Sequence, residues 1–520
     1  MKKIATALLS CALAAATLAG CAANAAQVPQ ESQEPHTAAL TATAAASVKS
    51  PKYVFLFIGD GMSYPQIQST SDYLGALKDA DYWQAQPSLD DNQGAILDGP
   101  EYLNFMNFEA AGSAVTYDSN SFAPDSASTA TSISTGHKTY SGSINVDETG
   151  TIEYETIAEQ LKAQKGWEIG VITSVNLNHA TPAAFYAHQA SRSSYYEIGL
   201  ELVESGFDYF AGGGLLKPTG SSGDQTDLYE LAQEAGYTVA KTHAEADAIG
   251  TNTEKAIIID EDLADSDAMA YELDRTDDMW ALADYVAKGI EVLDNDTGFF
   301  MMCEGGKIDW ACHANDAASS IHDTQALADA VQVAIDFAKE HADETLILVT
   351  GDHETGGLTI GFAGTDYDTY LDLLENQKIS FAKYDSDYVA SYKAIKTPFG
   401  TVLADIEKLF GLKAQGEEGD KLVLTAYEME QLRAAYEKSI NGTASSQYDQ
   451  AEYVLYGTYE PLSVTITHII NNKSGISFTS YSHTGLPVAV LAEGAGSEMF
   501  NGYYDNTDIY NKLADLLNIA

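Results

Sequence analysis

Three short apolar runs in this chain end alike. Tyr53–Ile58 leads into Gly59-Asp60-Gly61, Phe299–Cys303 into Glu304-Gly305-Gly306, and Leu346–Thr350 into Gly351-Asp352-His353-Glu354. A short, continuously apolar run closed by a glycine turn reads as a strand covered on both faces. Further strands are expected at Glu168–Thr173, Asp208–Phe210 and Pro487–Leu491. Helical patterns alternate with them at Ile157–Lys165, Leu228–Ala235, Met279–Leu293, Ala317–Lys339 and Asp508–Leu517, with Gly166 placed as a C-cap. The expectation is an α/β fold, a mainly parallel central sheet covered by helices on both faces.

In such a sheet, ligands bind beyond the carboxyl ends of the strands. The three acid-bearing junctions should therefore meet at one crevice. Asp309 and His313 follow the second junction at i and i+4, on one face if that segment is helical. Taken singly, each pattern has an ordinary reading. Gly-Asp-Gly is most often a turn, Asp309 and His313 an exposed ion pair, and Asp352-His353 a surface dipeptide. Carboxylates and imidazoles coinciding at three strand ends point instead to borderline-hard cations such as zinc and magnesium.

Three more segments carry candidate chemistry. Pro124-Asp125-Ser126-Ala127-Ser128-Thr129 has the form of a helix start, where Asp125 or Ser126 could simply cap. Beside dications, however, a serine there would have its alkoxide stabilised by metal and helix dipole, and the same amides would favour phosphate. His179-Ala180-Thr181-Pro182 is followed by Arg192, whose guanidinium fork matches two phosphate oxygens. The last segment is Tyr481-Ser482-His483-Thr484-Gly485, just before the final expected strand.

In this order, these segments resemble the alkaline phosphatase family, from about Lys52 to the C-terminus apart from 362–459. The motifs are Asp-Ser-Ala-Ser-x-Ala-Thr, His-Ala-Thr-Pro…Arg, Glu-Gly-Gly-Lys-Ile-Asp-x-x-x-His, Asp-His-Glu-Thr-Gly and His-Thr-Gly. The resemblance implies hydrolysis of small phosphomonoesters through a phosphoserine on Ser126, with two zinc ions and one magnesium. Position by position, Asp309, His313 and His483 look like ligands of the first zinc. Asp60, Asp352, His353 and the Ser126 oxygen look like those of the second. Thr181 and Glu304 join Asp60 at the magnesium, and Arg192 looks like the phosphate clamp. Asp125, His179 and Trp310 are candidates for the surrounding shell. Two positions depart from the best-known bacterial pattern: His179 stands where that pattern has Asp, and Trp310 where it has Lys. The first leaves the third ion open between magnesium and a transition metal, and the second removes a charge that helps to hold phosphate. Two rivals stay open: a phosphodiesterase of the same superfamily, and a non-catalytic lipoprotein that captures phosphate or metal, which leaves Ser126 without a task. No Cys/Ser-x-Pro-x-Arg sulfatase segment surrounds Ser126.

The 520 residues divide into an export segment (1–20), a polar tether (21–50), a catalytic α/β domain (51–361 and 460–520) and an insertion (362–459) of no legible role. Lys2 and Lys3 precede an apolar stretch too short for a standard span, ending Leu18-Ala19-Gly20-Cys21. That ending resembles a bacterial lipoprotein cleavage box, which implies export and a lipid on Cys21 at the cell envelope; ordinary secretion is the alternative. A formal charge of −49 argues against binding nucleic acid. Of four cysteines only Cys303 and Cys312 lie in the body, so a disulfide framework is excluded while a single bond stays open, as does the oligomeric state.

Overall fold

A computed structural model describes residues 50–79, 97–442 and 444–519. The export segment, Cys21 and nearly all of the tether lie outside the described residues.

The chain folds around one sheet of ten strands. In chain order these are β1 (Tyr53–Gly59), β2 (Ala110–Val115), β3 (Glu168–Asn176), β4 (Tyr209–Gly213), β5 (Thr238–Ala240), β6 (Ala256–Ile259), β7 (Phe299–Gly305), β8 (Thr345–Gly351), β9 (Val488–Gly494) and β10 (Gly502–Asp505). Across the sheet they run β10-β2-β9-β8-β1-β7-β3-β4-β6-β5. Every pairing is parallel except those of β9, which lies antiparallel between β2 and β8. All six expected strands are present, extended by one to three residues at their carboxyl ends; Leu346–Thr350 also gains one residue at its start, while the strands expected from Asp208 and Pro487 begin one residue later, at Tyr209 and Val488.

The apolar runs behave as two-faced strands must. Side chains alternate across a strand, so Val54, Leu56 and Ile58 enter one core while Tyr53, Phe55 and Phe57 enter another. Ala127, Ala130 and Ile133 of helix α1 (Ser126–Thr135) cover the first face, with the helices Ile157–Lys165 and Thr507–Leu517. The second is covered by Leu282–Leu293 and by α3 (Ala317–Glu340), which follows the short helix α2 (Lys307–His313). Each fully buried aliphatic or aromatic side chain contributes roughly 1.5–3 kcal/mol, so β1 is fixed between both layers. Gly166 ends its helix at φ 66°, the left-handed conformation expected of a C-cap.

Residues 362–459 carry more helix than their sequence announces. Besides Ala426–Asn441 there are Phe399–Phe410, Gln450–Tyr456 and an unbroken helical run over 381–395. Leu374, Tyr384, Val402, Phe410 and Leu432 form a third core, which also takes in Ile466 and Ile470 of the helix Pro461–Ser474.

Candidate active site

The sheet register brings the three junctions together. β8, β1 and β7 are neighbours, and Gly59 pairs with both Gly305 and Gly351. The acids that follow or precede these glycines are therefore set side by side. Glycine is required at two of these turns. A Cβ on Gly351 would stand 1.8 Å from the Met62 carbonyl oxygen, and Gly61 holds φ +72° against the backbone of Asp309.

Ser126 opens α1 at the rim of this crevice. Asp125 is the N-cap, its Oδ1 accepting from the Ser128 N–H at 3.2 Å, and all ten residues of the helix are buried. Small Ser, Ala and Thr side chains let a helix sit so deep. Ser126 Oγ lies 3.4 Å from Asp60 Oδ1 and 3.2 Å from His353 Nε2.

Three groups of ligand atoms surround that hydroxyl. Asp309, His313 and His483 form one, Asp60, Asp352 and His353 the second, and Asp60, His179 and Glu304 the third. Thr181 joins the third, its hydroxyl donating to Asp60 Oδ2 at 3.4 Å. Asp352 is fixed by the Gly61 and His353 N–H groups at 3.1 and 2.8 Å and by the Thr129 hydroxyl at 3.1 Å. Arg192 donates to Asp125 Oδ2 at 2.8 Å, and its other terminal nitrogen lies 3.4 Å from His179 Nε2.

The donor set fits dications. His313 Nδ1 lies 2.6 Å from the Tyr481 carbonyl and His483 Nδ1 2.5 Å from that of Pro124. A carbonyl only accepts, so each Nδ1 carries a proton, and Nε2 has a lone pair to offer whenever the ring is neutral. Those two Nε2 atoms face each other at 3.1 Å beside the Asp309 carboxylate, an arrangement that calls for positive charge between them: a metal ion, or a proton on His313, whose pKa burial lowers but Asp309 pushes up to about 9. Glu304 Oε1 and His179 Nδ1 are buried with no hydrogen-bond partner. Burial, reinforced by neighbouring carboxylates, pushes Asp60 well above the usual range, Asp352 up to about 8 and Glu304 up to about 7. Carboxyls buried in this way stay ionised near neutral pH only beside compensating positive charge. Burial would raise Asp309 as well, but His313, His483 and His353 hold it well below its ordinary value. Burial and then Arg192 push His179 down to about 3, leaving a neutral imidazole.

The structure thus brings every sequence-predicted site residue to one crevice, including Trp310, whose ring meets that of His179 edge-on at 5.9 Å. His179 stands within the third ligand group rather than outside it. Cys303 and Cys312 are buried free thiols, which answers the open question of a bond between them. A fourth group joins His243, which follows β5, to Asp260 and Asp262, which follow β6, but both Asp260 oxygens already accept hydrogen bonds, from the Asp262 N–H and the Tyr285 hydroxyl.

The family model described as alkaline phosphatase matches residues 51–519. The chain belongs to the alkaline phosphatase family. It is 30% identical over 473 residues to alkaline phosphatase 4 of Bacillus subtilis, covering 89% of this chain and 88% of that protein. The cold-active alkaline phosphatase of a psychrophilic Shewanella superposes with a TM-score of 0.69 at 28% identity, over 89% of this chain and 99% of that one. A variant of the enzyme from the Antarctic bacterium TAB5, solved with magnesium bound in its M3 site, gives a TM-score of 0.60 at 25% identity, over 91% of this chain and 99% of that one. As an alkaline phosphatase, the chain is an enzyme that hydrolyses phosphate monoesters.

Sequence reasoning missed some of the crevice. Tyr271, Phe381 and Tyr459 line it with Ser126, Arg192 and Trp310. The aromatic richness of 362–459 was the only signal for Phe381 and Tyr459.

Proposed function

We propose that Ser126 is the nucleophile of phosphate monoester hydrolysis at a site of two zinc ions and one magnesium. The carrying observation is the position of its hydroxyl, 3.4 Å from Asp60 and 3.2 Å from His353 at the start of a buried helix. Asp309, His313 and His483 would hold the first zinc, and Asp60, Asp352 and His353 the second. Asp60, Glu304 and Thr181 would hold the third ion, with His179 adding an imidazole that favours a transition metal more than an all-oxygen set would. Bound there, dications lower the pKa of the serine hydroxyl and stabilise the entering and leaving oxygens.

The protein's own groups do the rest. Ser126, having lost its proton to solvent, attacks phosphorus; its O–P bond forms as the ester O–P bond breaks, and the departing oxygen takes a proton from water and leaves as the alcohol. The N-terminal amides of α1 and the Arg192 fork face the equatorial oxygens. Asp125 keeps that fork aimed inward. In the second half, a water oxygen attacks phosphorus, the Ser126 O–P bond breaks, and inorganic phosphate departs.

The test is Ser126→Ala, assayed on an aryl phosphate with metal content measured in parallel. Loss of turnover by about 10³-fold or more with metals retained is expected; intact turnover would overturn the nucleophile assignment. Metal analysis after chelation and reloading with each ion identifies the third cation. Export and lipidation of Cys21 are proposed on the sequence alone, and Cys21→Ser should abolish labelling by radioactive palmitate.

A further inference from the structure

Four aromatic rings from remote parts of the chain stand over the crevice. Trp310 comes from α2, Tyr271 from the connection between β6 and β7, and Phe381 and Tyr459 from 362–459. They line one side of an open cavity of about 410 Å³ whose other side is formed by Ser126, Arg192 and the ligand side chains. The Phe381 ring meets Tyr271 edge-on at 5.7 Å and Tyr459 at 5.8 Å. This space exceeds what a phosphoryl group needs, and the side of its wall formed by the four rings is of the wrong chemistry for one. A phosphate dianion is held by donors and cations, whereas rings present flat apolar surface.

The placement of Phe381 is built rather than incidental. Two carboxylates of the sheet domain grip the turn that presents it. Asp316 Oδ2 accepts from the Phe381 N–H at 2.9 Å while Oδ1 accepts from the Gln377 side chain at 2.8 Å. Asp274 Oδ1 accepts from the Ser380 N–H at 2.9 Å. Asp316 is fully buried, and neither acid belongs to a ligand group around Ser126. Behind the rings lies the buried Lys307 ammonium, 3.8 Å from the Tyr271 ring centre and 4.8 Å from that of Trp310, neutralised by Asp265 at 2.6 Å. Tyr271 and Trp310 are thereby backed by a fixed cation.

We propose that Phe381 and Tyr459, with Tyr271 and Trp310, form a subsite for the planar aromatic leaving group of a phosphate monoester. Residues 362–459 then serve specificity, favouring aryl over alkyl esters. This rests on the reading of Ser126 and its neighbours as the phosphoryl site. Asp316 and Asp274 act as positioning residues.

Calorimetric binding of phenylphosphonate and methylphosphonate to the metal-loaded enzyme tests the subsite without turnover. Phe381→Ala should weaken phenylphosphonate about tenfold relative to methylphosphonate, and should raise KM for phenyl phosphate against ethyl phosphate by a similar factor. Phe381→Tyr keeps the ring and should hold both ratios within about twofold of wild type. An equal change for phenyl and methyl ligands in Phe381→Ala, or no change, overturns the subsite. Phosphonate binding with no phosphomonoester turnover by the wild-type enzyme would instead strike the functional reading, so the two fail separately.

Discussion

Asp125 accepts from Arg192 Nη1 at 2.8 Å with one carboxylate oxygen and caps the helix of Ser126 with the other. The same Oδ1 also accepts from the Gly142 N–H at 2.9 Å. Burial would raise this carboxyl, but Arg192 and these donors hold it below its ordinary value. One anion thus aligns Arg192, the proposed phosphate clamp, with Ser126, the proposed nucleophile.

Asp125→Asn keeps a capping oxygen but loses the charge that orients Arg192. KM for aryl phosphates and Ki for inorganic phosphate should both rise about tenfold. Asp125→Ala should in addition lower stability by about 1 kcal/mol through the lost cap, read by thermal unfolding. Unchanged kinetics in both variants would detach Asp125 from the clamp.

Trp310 puts an indole where the best-known bacterial pattern has lysine. The nearby Lys307 does not substitute for it, because its ammonium is buried and paired with Asp265. Product phosphate should therefore inhibit weakly, and Trp310→Lys should lower Ki for phosphate severalfold. Steady-state inhibition before and after the substitution decides it; no change discards the idea.

In the proposed site, chelation would remove the charge that balances Asp60, Asp352, Glu304 and Asp309. Treating the protein with a strong chelator should lower Tm by about 10 °C or more, with recovery on adding zinc and magnesium. A Tm indifferent to chelation would contradict the metal-site assignment.

His188 lies between Glu159 and Glu201, at 3.5 and 3.6 Å, with the Tyr154 carbonyl at 3.1 Å. Burial opposes its charge, but the two glutamates push it up to about 10. A raised imidazole pKa contributes stability that is complete below about 6.5 and fades as pH climbs through 10. His188→Gln should cost about 2 kcal/mol near neutral pH and little above pH 10. Unfolding curves at both extremes show whether the gap closes.

The formal charge of −49 repels a dianionic substrate. Raising sodium chloride from about 10 to about 150 mM shortens the screening length from about 30 to about 8 Å. kcat/KM should rise over that range. A steady fall would mean that local cations, not the net field, govern approach.

Much of the site was legible because its residues follow strands, and apolar runs closed by Gly-Asp or Gly-Asp-His report strand ends directly. The strand Ala110–Val115 was not, since Ala-Ala-Gly-Ser-Ala-Val has little apolar contrast and becomes a strand by pairing with Val488–Gly494. β5, β6 and β10 were missed as well, being short elements at or next to the two edges of the sheet. The tautomers of His313 and His483 depend on the carbonyls of Tyr481 and Pro124, main-chain atoms brought close only by the fold. Phe381 reaches the crevice through Asp274 and Asp316, a connection between distant segments with no local signature.

The alignment of Gly59 with Gly305 and Gly351 makes the backbone ladder a measuring rod for the chemistry. A slip of one residue along any of these strands would displace a carboxylate by about 3.3 Å and turn its side chain to the opposite face. Surface loops can therefore vary freely while the centre keeps its dimensions, and whatever loosens the middle of the sheet should extinguish turnover before the outer helices come apart.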